Sequence, residues 1–316
     1  MASNVKVINI LFDLLCFILV FIVYLVIKIL LFSTAEGLYP YKREFMCGDT
    51  SIHQPVKEET IGYEINDSLS FIIPIVVIMI VEACNNMTRS DETHEEEEKE
   101  SYGPITLKPW IASMISLMVV FTFGGFVTCI LTDLSKMTVG RLRPSFLTVC
   151  QANVTQADCQ GYVTKDVCTG DPYDVKIARM SFPSGHSSVS MYGMLFLAFY
   201  IQSAVRAETK LLKPLLQMVA VSLSLFVGLS RIADNNHFLS DIVAGFILGA
   251  IIAWLIAFKV LKLFAIRIRK PKFTHCCHSS DQPPSRRQSL SDKTAGSDSR
   301  RRNCTTEFKK LKPCTH

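Results

Sequence analysis

Charge is scarce in this sequence, and so are interruptions to its apolar stretches. Asp, Glu, Lys and Arg make up 19% of the 316 residues, against 49% for the hydrophobic set. The regular alternation of apolar and polar positions that marks a soluble domain is missing, which argues against an ordinary water-soluble fold. Aromatic residues do not interleave with the basic residues near the C-terminus, so that stretch gives no support to nucleic-acid binding. No compact group of carboxylates, or of Cys and His, accompanies the polar motifs described below, so neither a metal nor a cofactor is expected. Cys314 stands third from the end, which leaves no prenylation motif.

What is present is a series of long unbroken apolar runs, with a mean hydropathy of +0.29. A bilayer core about 30 Å thick needs roughly 20 apolar residues in helical form. The runs at 7–32 and 110–131 meet that length, and four more, at 69–84, 189–205, 215–229 and 242–266, reach or approach it. The first run is far longer than a signal-peptide core, so it reads as a span. The expected fold class is an all-α membrane protein: six transmembrane helices in a bundle over residues 1–270. The basic tail at 271–316 has the composition of a disordered segment.

Orientation follows from charge. From Lys259 to the end there are fifteen Lys and Arg, and a basic stretch after a final span marks the cytosolic side. Counting back through the spans puts the N-terminus, 85–108 and 206–214 in the cytosol, and 33–67, 133–186 and 230–241 on the other side. The fit is imperfect, because 133–186 contains Lys136, Arg141, Arg143, Lys165, Lys176 and Arg179. Cys47, Cys150, Cys159 and Cys168 all fall in the outer segments, where disulfides are permitted, with three pairings open. Asn153-Val154-Thr155 on the same side is a candidate glycosylation site at Asn153. Cys276-Cys277 reads either as an acylation site or as ordinary cytosolic thiols.

Three polar motifs stand at the outer ends of the spans. The first runs from Lys136 to Pro144, with Lys136 and Arg143 seven residues apart, on one face if the helix continues. A planar guanidinium and a mobile ammonium aimed at one point suit a phosphate dianion. Asp133 is placed to steady Lys136. The second, Met180-Ser181-Phe182-Pro183-Ser184-Gly185-His186, precedes the fourth span; free N–H groups at a helix start bind anions, and Ser184 adds a donor. The third, 230–241, holds Arg231, His237 and Asp241. His237 and Asp241 are one turn apart, so a carboxylate could hold one imidazole nitrogen and leave the other free to attack. Taken alone, each motif reads better as a membrane anchor, a helix cap or a surface ion pair. Independent anchors have no need to gather two histidines, a carboxylate, three cations and a Ser-Gly turn on one side.

Together the motifs read K-x6-R-P, P-S-G-H and S-R-x5-H-x3-D. In order and topology the chain resembles the lipid phosphate phosphatases of the type 2 phosphatidic acid phosphatase superfamily, over most of 7–266. The resemblance implies metal-independent hydrolysis of lipid phosphate monoesters, with His237 as nucleophile, Asp241 orienting it and His186 as acid and then base. It assigns the phosphoryl oxygens to Lys136, Arg143, Ser184, Gly185 and Arg231. The implied substrates are phosphatidate, lysophosphatidate, sphingosine 1-phosphate and ceramide 1-phosphate. The partners are then a lipid phosphate and the bilayer, most naturally the plasma membrane, with homo-oligomerisation open. Family members often carry a histidine directly after the nucleophile, where this chain has Phe238. A catalytically silent relative and a lipid phosphotransferase are the rival readings. Asp13 and Glu82 lie inside apolar runs with no role to assign.

Overall fold

A computed structural model of the chain describes residues 2–32, 38–92, 100–102, 105–153, 161–165, 167–205 and 209–263. The expected tail, with Cys276 and Cys277, lies outside the described residues. Six long helices dominate: α1 (Ala2–Phe32), α2 (Tyr63–Glu92), α3 (Pro109–Val139), α6 (Gly185–Ala204), α7 (Leu212–Ala233) and α8 (Leu239–Trp254). A π-helical turn, Leu255–Val260, prolongs α8. Among the described residues, five stretches are long and apolar enough to cross a membrane: Ile8–Leu31, Tyr63–Thr88, Trp110–Val139, Leu212–Ala233 and Leu239–Val260. Helix α6 is not among them.

The exception has a physical reason. Helix α6 carries Ser187, Ser188, Ser190, Tyr192 and Gly193 because it is enclosed by other helices and not by lipid, and most of its residues are buried. Its hydroxyls are satisfied across helices: Ser188 pairs with Thr132 of α3 at 2.8 Å, and Ser190 with Ser224 of α7 at 3.0 Å. Tyr192 donates to the Phe121 carbonyl, and Tyr200 to Glu82 at 2.8 Å, which gives Glu82 a partner that the sequence did not suggest. Small residues let the backbones approach. A Cβ on Gly249 of α8 would lie 2.2 Å from the Ser188 carbonyl oxygen, and one on Gly193 would lie 2.1 Å from that of Ser70 on α2.

Helix α1 is the least enclosed, and it is fastened to α3. Phe17, Phe21 and Tyr24 surround Phe126, with ring centroids 4.9–5.9 Å apart. Farther along, Lys28 reaches the Asp133 carboxylate at 2.9 Å and donates to the Tyr63 hydroxyl at 2.9 Å. The direct ion-pair partner of Asp133 is therefore Lys28 from the first helix, because α1 runs beside α3, and the expected Lys136 feels Asp133 only through its field.

Beyond the helix ends sits a small cap. The strands β1 (Phe45–Met46) and β4 (Tyr162–Val163) pair antiparallel, and the helices α4 (Phe146–Cys150) and α5 (Pro172–Ala178) lie with them. Phe45, Ile52, Leu142, Phe146, Val163 and Val175 form its core. A Cys150–Cys168 disulfide closes it, and Cys47 is also disulfide-bonded. A second two-stranded pair, β2 (Glu100–Tyr102) with β3 (Ile105–Leu107), precedes α3 and was not expected in an all-α fold. Asn153 belongs to the cap, its N–H bonded to the Val167 carbonyl at 3.0 Å.

Removing one partner of a buried ion pair typically costs about 3–5 kcal/mol. Lys28→Met is therefore expected to lower the thermal midpoint of the detergent-solubilised protein, and adding Asp133→Asn to recover part of the loss. An unchanged midpoint in the single variant would contradict the pairing.

Candidate active site

Helix α3 does not continue through Arg143, as the seven-residue spacing had supposed. It ends at Val139, with Gly140 in the left-handed region (φ 57°) donating its N–H to the Lys136 carbonyl. A side chain there would strike the Tyr41 carbonyl, so the turn both needs glycine and leaves no room for another residue. After the turn the chain runs alongside the segment leading into α6: Arg143 N–H bonds the Ala178 carbonyl at 2.8 Å, and Ser181 N–H bonds that of Arg141 at 2.9 Å. Lys136 and Arg143 thus reach the site from different elements, one helical and one extended.

Helix α6 starts beside them. Ser184 is its N-cap, accepting from the Ser187 N–H, and the Ser184 N–H bonds the Asp241 carbonyl at 3.0 Å. A Cβ on Gly185 would lie 3.2 Å from the Lys136 ammonium nitrogen, so glycine lets that cation sit against the helix start. His186 follows, buried, with the Tyr63 ring edge-on at 5.5 Å. The turn between α7 and α8 supplies the rest. Its N–H groups at Asn236 and His237 fold back onto the Arg231 carbonyl at 3.1 and 3.3 Å. Arg231 is fully buried, bonded to Asp234 at 2.5 Å and 3.5 Å from a Glu59 oxygen. Arg143 donates to the Asn236 side-chain oxygen at 3.1 Å.

All eight residues proposed from the motifs, Lys136, Arg143, Ser184, Gly185, His186, Arg231, His237 and Asp241, meet in this region. One expected contact differs. The Asp241 carboxylate is 3.9 Å from His237 Nδ1, too far for a hydrogen bond. The Ser181 hydroxyl lies between them, 2.6 Å from Asp241 Oδ2 and 3.4 Å from Nδ1. Arg141 takes the other carboxylate oxygen at 2.7 Å, while its guanidinium stacks 4.6 Å above the Phe238 ring. Phe238 therefore has a structural task here, covering the arginine that holds Asp241.

Sequence reasoning quoted Ser181, Arg141, Asp234 and Asn236 as parts of motifs without giving them roles. It missed Glu59, Thr60 and Lys28 altogether. Thr60 bonds Asp234 through its N–H at 2.9 Å and its hydroxyl at 2.6 Å, Asn236 donates to Glu59 at 3.3 Å, and Lys57 donates to the Ala233 carbonyl at 2.8 Å. The segment before α2 thus straps the α7–α8 turn. Only Lys28 left a signal, as a lone cation inside a long apolar run.

Burial, reinforced by the positive field of Arg143 and Lys136, pushes the His237 pKa down to about 4, although the nearby Asp241 opposes the shift. The imidazole is then neutral at physiological pH, with a lone pair available. Burial and the neighbouring Arg231 also lower Arg143 to about 10, with Glu59 opposing, and it stays cationic.

The sequence profile of the PAP2 superfamily matches residues 113–265, which contain all three motifs. The chain is 37% identical over 253 residues to phospholipid phosphatase 2 of Mus musculus, covering 80% of this chain and 86% of that protein. It is 36% identical over 227 residues to phospholipid phosphatase 1 of Rattus norvegicus, covering 71% and 77%. The chain belongs to the PAP2 superfamily. Against Homo sapiens phospholipid phosphatase 2 the identity is 36% over 239 residues, covering 75% and 78%. No solved structure matches the chain. This PAP2 member is accordingly a multi-pass membrane protein of the lipid phosphate phosphatase family.

The depressed His237 pKa carries a stability consequence. Between about 6.5 and about 4 the unfolded chain binds a proton at this residue that the folded chain does not. Stability present above the unfolded value is therefore lost as pH falls through that window. The thermal midpoint of wild type is expected to fall more steeply across it than that of His237→Ala. Equal slopes would contradict a buried neutral imidazole.

Proposed function

We propose that this PAP2 member hydrolyses lipid phosphate monoesters through a phosphohistidine intermediate on His237. The observation that carries the reading is a set of buried polar atoms. Arg143 Nε, Arg231 Nη1 and His186 Nε2 have no hydrogen-bond partner among the described residues. Buried polar groups are rarely left unpaired, and two guanidinium donors and an imidazole nitrogen from separate elements around His237 fit an oxyanion with several oxygens.

The chemistry follows from that placement. His237 Nε2 attacks phosphorus in line with the lipid oxygen, forming the N–P bond as the P–O bond breaks. His186 gives its proton to the departing alkoxide. Lys136, Arg143, Arg231, the Ser184 hydroxyl and the Gly185 N–H stabilise charge on the non-bridging oxygens, where preorganised donors contribute most. In the second step His186 takes a proton from water, the resulting hydroxide attacks phosphorus, and the N–P bond breaks to release inorganic phosphate and neutral His237. These cations supply the charge neutralisation for which other phosphatases use a metal.

In the membrane, α6 counts as a sixth, protein-enclosed span beside the five apolar ones. The site then lies at the non-cytosolic interface, capped by the disulfide-closed cap with glycosylation at Asn153, and at the plasma membrane it faces outward. A lipid in the outer leaflet presents its phosphate there without leaving the bilayer. Phosphatidate, lysophosphatidate, sphingosine 1-phosphate and ceramide 1-phosphate all meet that requirement. The sequence 1–270 forms the catalytic unit and 271–316 a separate tail.

Purified wild type in detergent is expected to release inorganic phosphate from phosphatidate micelles with EDTA present, and His237→Ala to release none above background. Phosphate release by the variant would contradict the nucleophile. Transfer of phosphate from wild type to an added lipid alcohol, with none to water, would favour a phosphotransferase. No reaction from folded wild type would favour a silent relative.

A further inference from the structure

The pairing of His237 with Asp241 is indirect, and the group between them has a constrained proton. Asp241 is fully buried and its carboxylate is held by three donors: Arg141 at 2.7 Å on Oδ1, and on Oδ2 the Phe238 N–H at 3.1 Å and the Ser181 hydroxyl at 2.6 Å. It cannot swing toward His237 without giving up at least one of them. Ser181 is equally fixed. It is fully buried, and its own N–H is bonded to the carbonyl of Arg141, the residue whose side chain anchors the other carboxylate oxygen.

A serine hydroxyl has one proton to donate, and an ionised carboxylate can only accept. At 2.6 Å the Ser181 proton is committed to Asp241. What Ser181 turns toward Nδ1, at 3.4 Å, is a lone pair. That contact is long, as catalytic hydrogen bonds often are before substrate binds. A lone pair there favours the imidazole tautomer with its proton on Nδ1, and a neutral imidazole has only one proton. Nε2 is left unprotonated, which is the state needed for attack on phosphorus.

We propose that Ser181 is the positioning residue of this site: it accepts the Nδ1 proton of His237, with its own hydroxyl anchored on Asp241, and thereby fixes the tautomer that leaves Nε2 free. The proposal rests on the reading of His237 as nucleophile. A serine that merely satisfied Asp241 would leave the imidazole free to exchange between tautomers, so the two roles are separable.

The experiment is nitrogen NMR of the full chain in detergent, with histidine labelled in both ring nitrogens and His237 assigned by its absence in His237→Ala. At neutral pH wild type is expected to show a protonated Nδ1 and an unprotonated Nε2 at His237. Ser181→Ala is expected to show exchange between tautomers, with kcat lowered on the order of 10–100-fold and KM within about twofold. A wild-type proton on Nε2, or an unchanged tautomer and kcat in Ser181→Ala, would overturn the proposal. The wild-type spectrum decides even where Ser181→Ala does not fold. It is read without turnover, so failure of the nucleophile reading would appear separately, as phosphate release by His237→Ala.

Discussion

Three cations held together against one buried imidazole repel each other and lose hydration, and the rest of the structure is arranged around that unfavourable cluster. Lys136, Arg143 and Arg231 each have an acidic or amide group near at hand: Asp133 three residues before Lys136, Asn236 bonded to Arg143, Asp234 and Glu59 beside Arg231. Arg143 Nε and Arg231 Nη1 are still left without a hydrogen-bond partner among the described residues. A site built this way holds its positive field in reserve for a ligand with more than one negative charge. The same field, with burial, keeps His237 neutral. On the proposed reading, affinity for phosphate and nucleophilicity of His237 share one electrostatic cause.

Keeping such a cluster in place inside a membrane protein needs an element that is polar at one end and enclosed along its length. Helix α6 is that element. Glycine contacts with α2 and α8 bring neighbouring backbones close, and cross-helix hydroxyl pairs satisfy its serines. Its first turn meets the carbonyl of Asp241 through the Ser184 N–H, which ties the start of α6 to the start of α8. The cap and the strap before α2 complete the enclosure from outside, through Thr60 on Asp234 and Asn236 on Glu59.

The long apolar runs were legible because hydrocarbon contact demands unbroken apolar sequence, and α1, α3 and α8 follow it closely. Helix α6 was legible only as a short run from 189, because its first turn at Gly185 is built from the polar residues of the site. The eight motif residues were legible because each motif is local and its residue types have little other reason to occur together. What was hidden is partnership at a distance. Lys28 meets Asp133, Arg141 meets Asp241 and Thr60 meets Asp234 across roughly a hundred residues or more. Local spacing pointed instead to Lys136 for Asp133 and to direct contact between His237 and Asp241. Helical i,i+3 and i,i+4 proximity says which side chains are neighbours, not which donor reaches a carboxylate first.

The central claim is a covalent bond between phosphorus and one imidazole nitrogen. The most direct measurement is to mix the protein with a lipid phosphate labelled with radioactive phosphorus, quench in alkali within the first turnover, and map the labelled peptide. The account predicts acid-labile, alkali-stable label on the peptide containing His237, chased into inorganic phosphate by unlabelled substrate. Turnover with no label on the protein, or label on another residue, would contradict it.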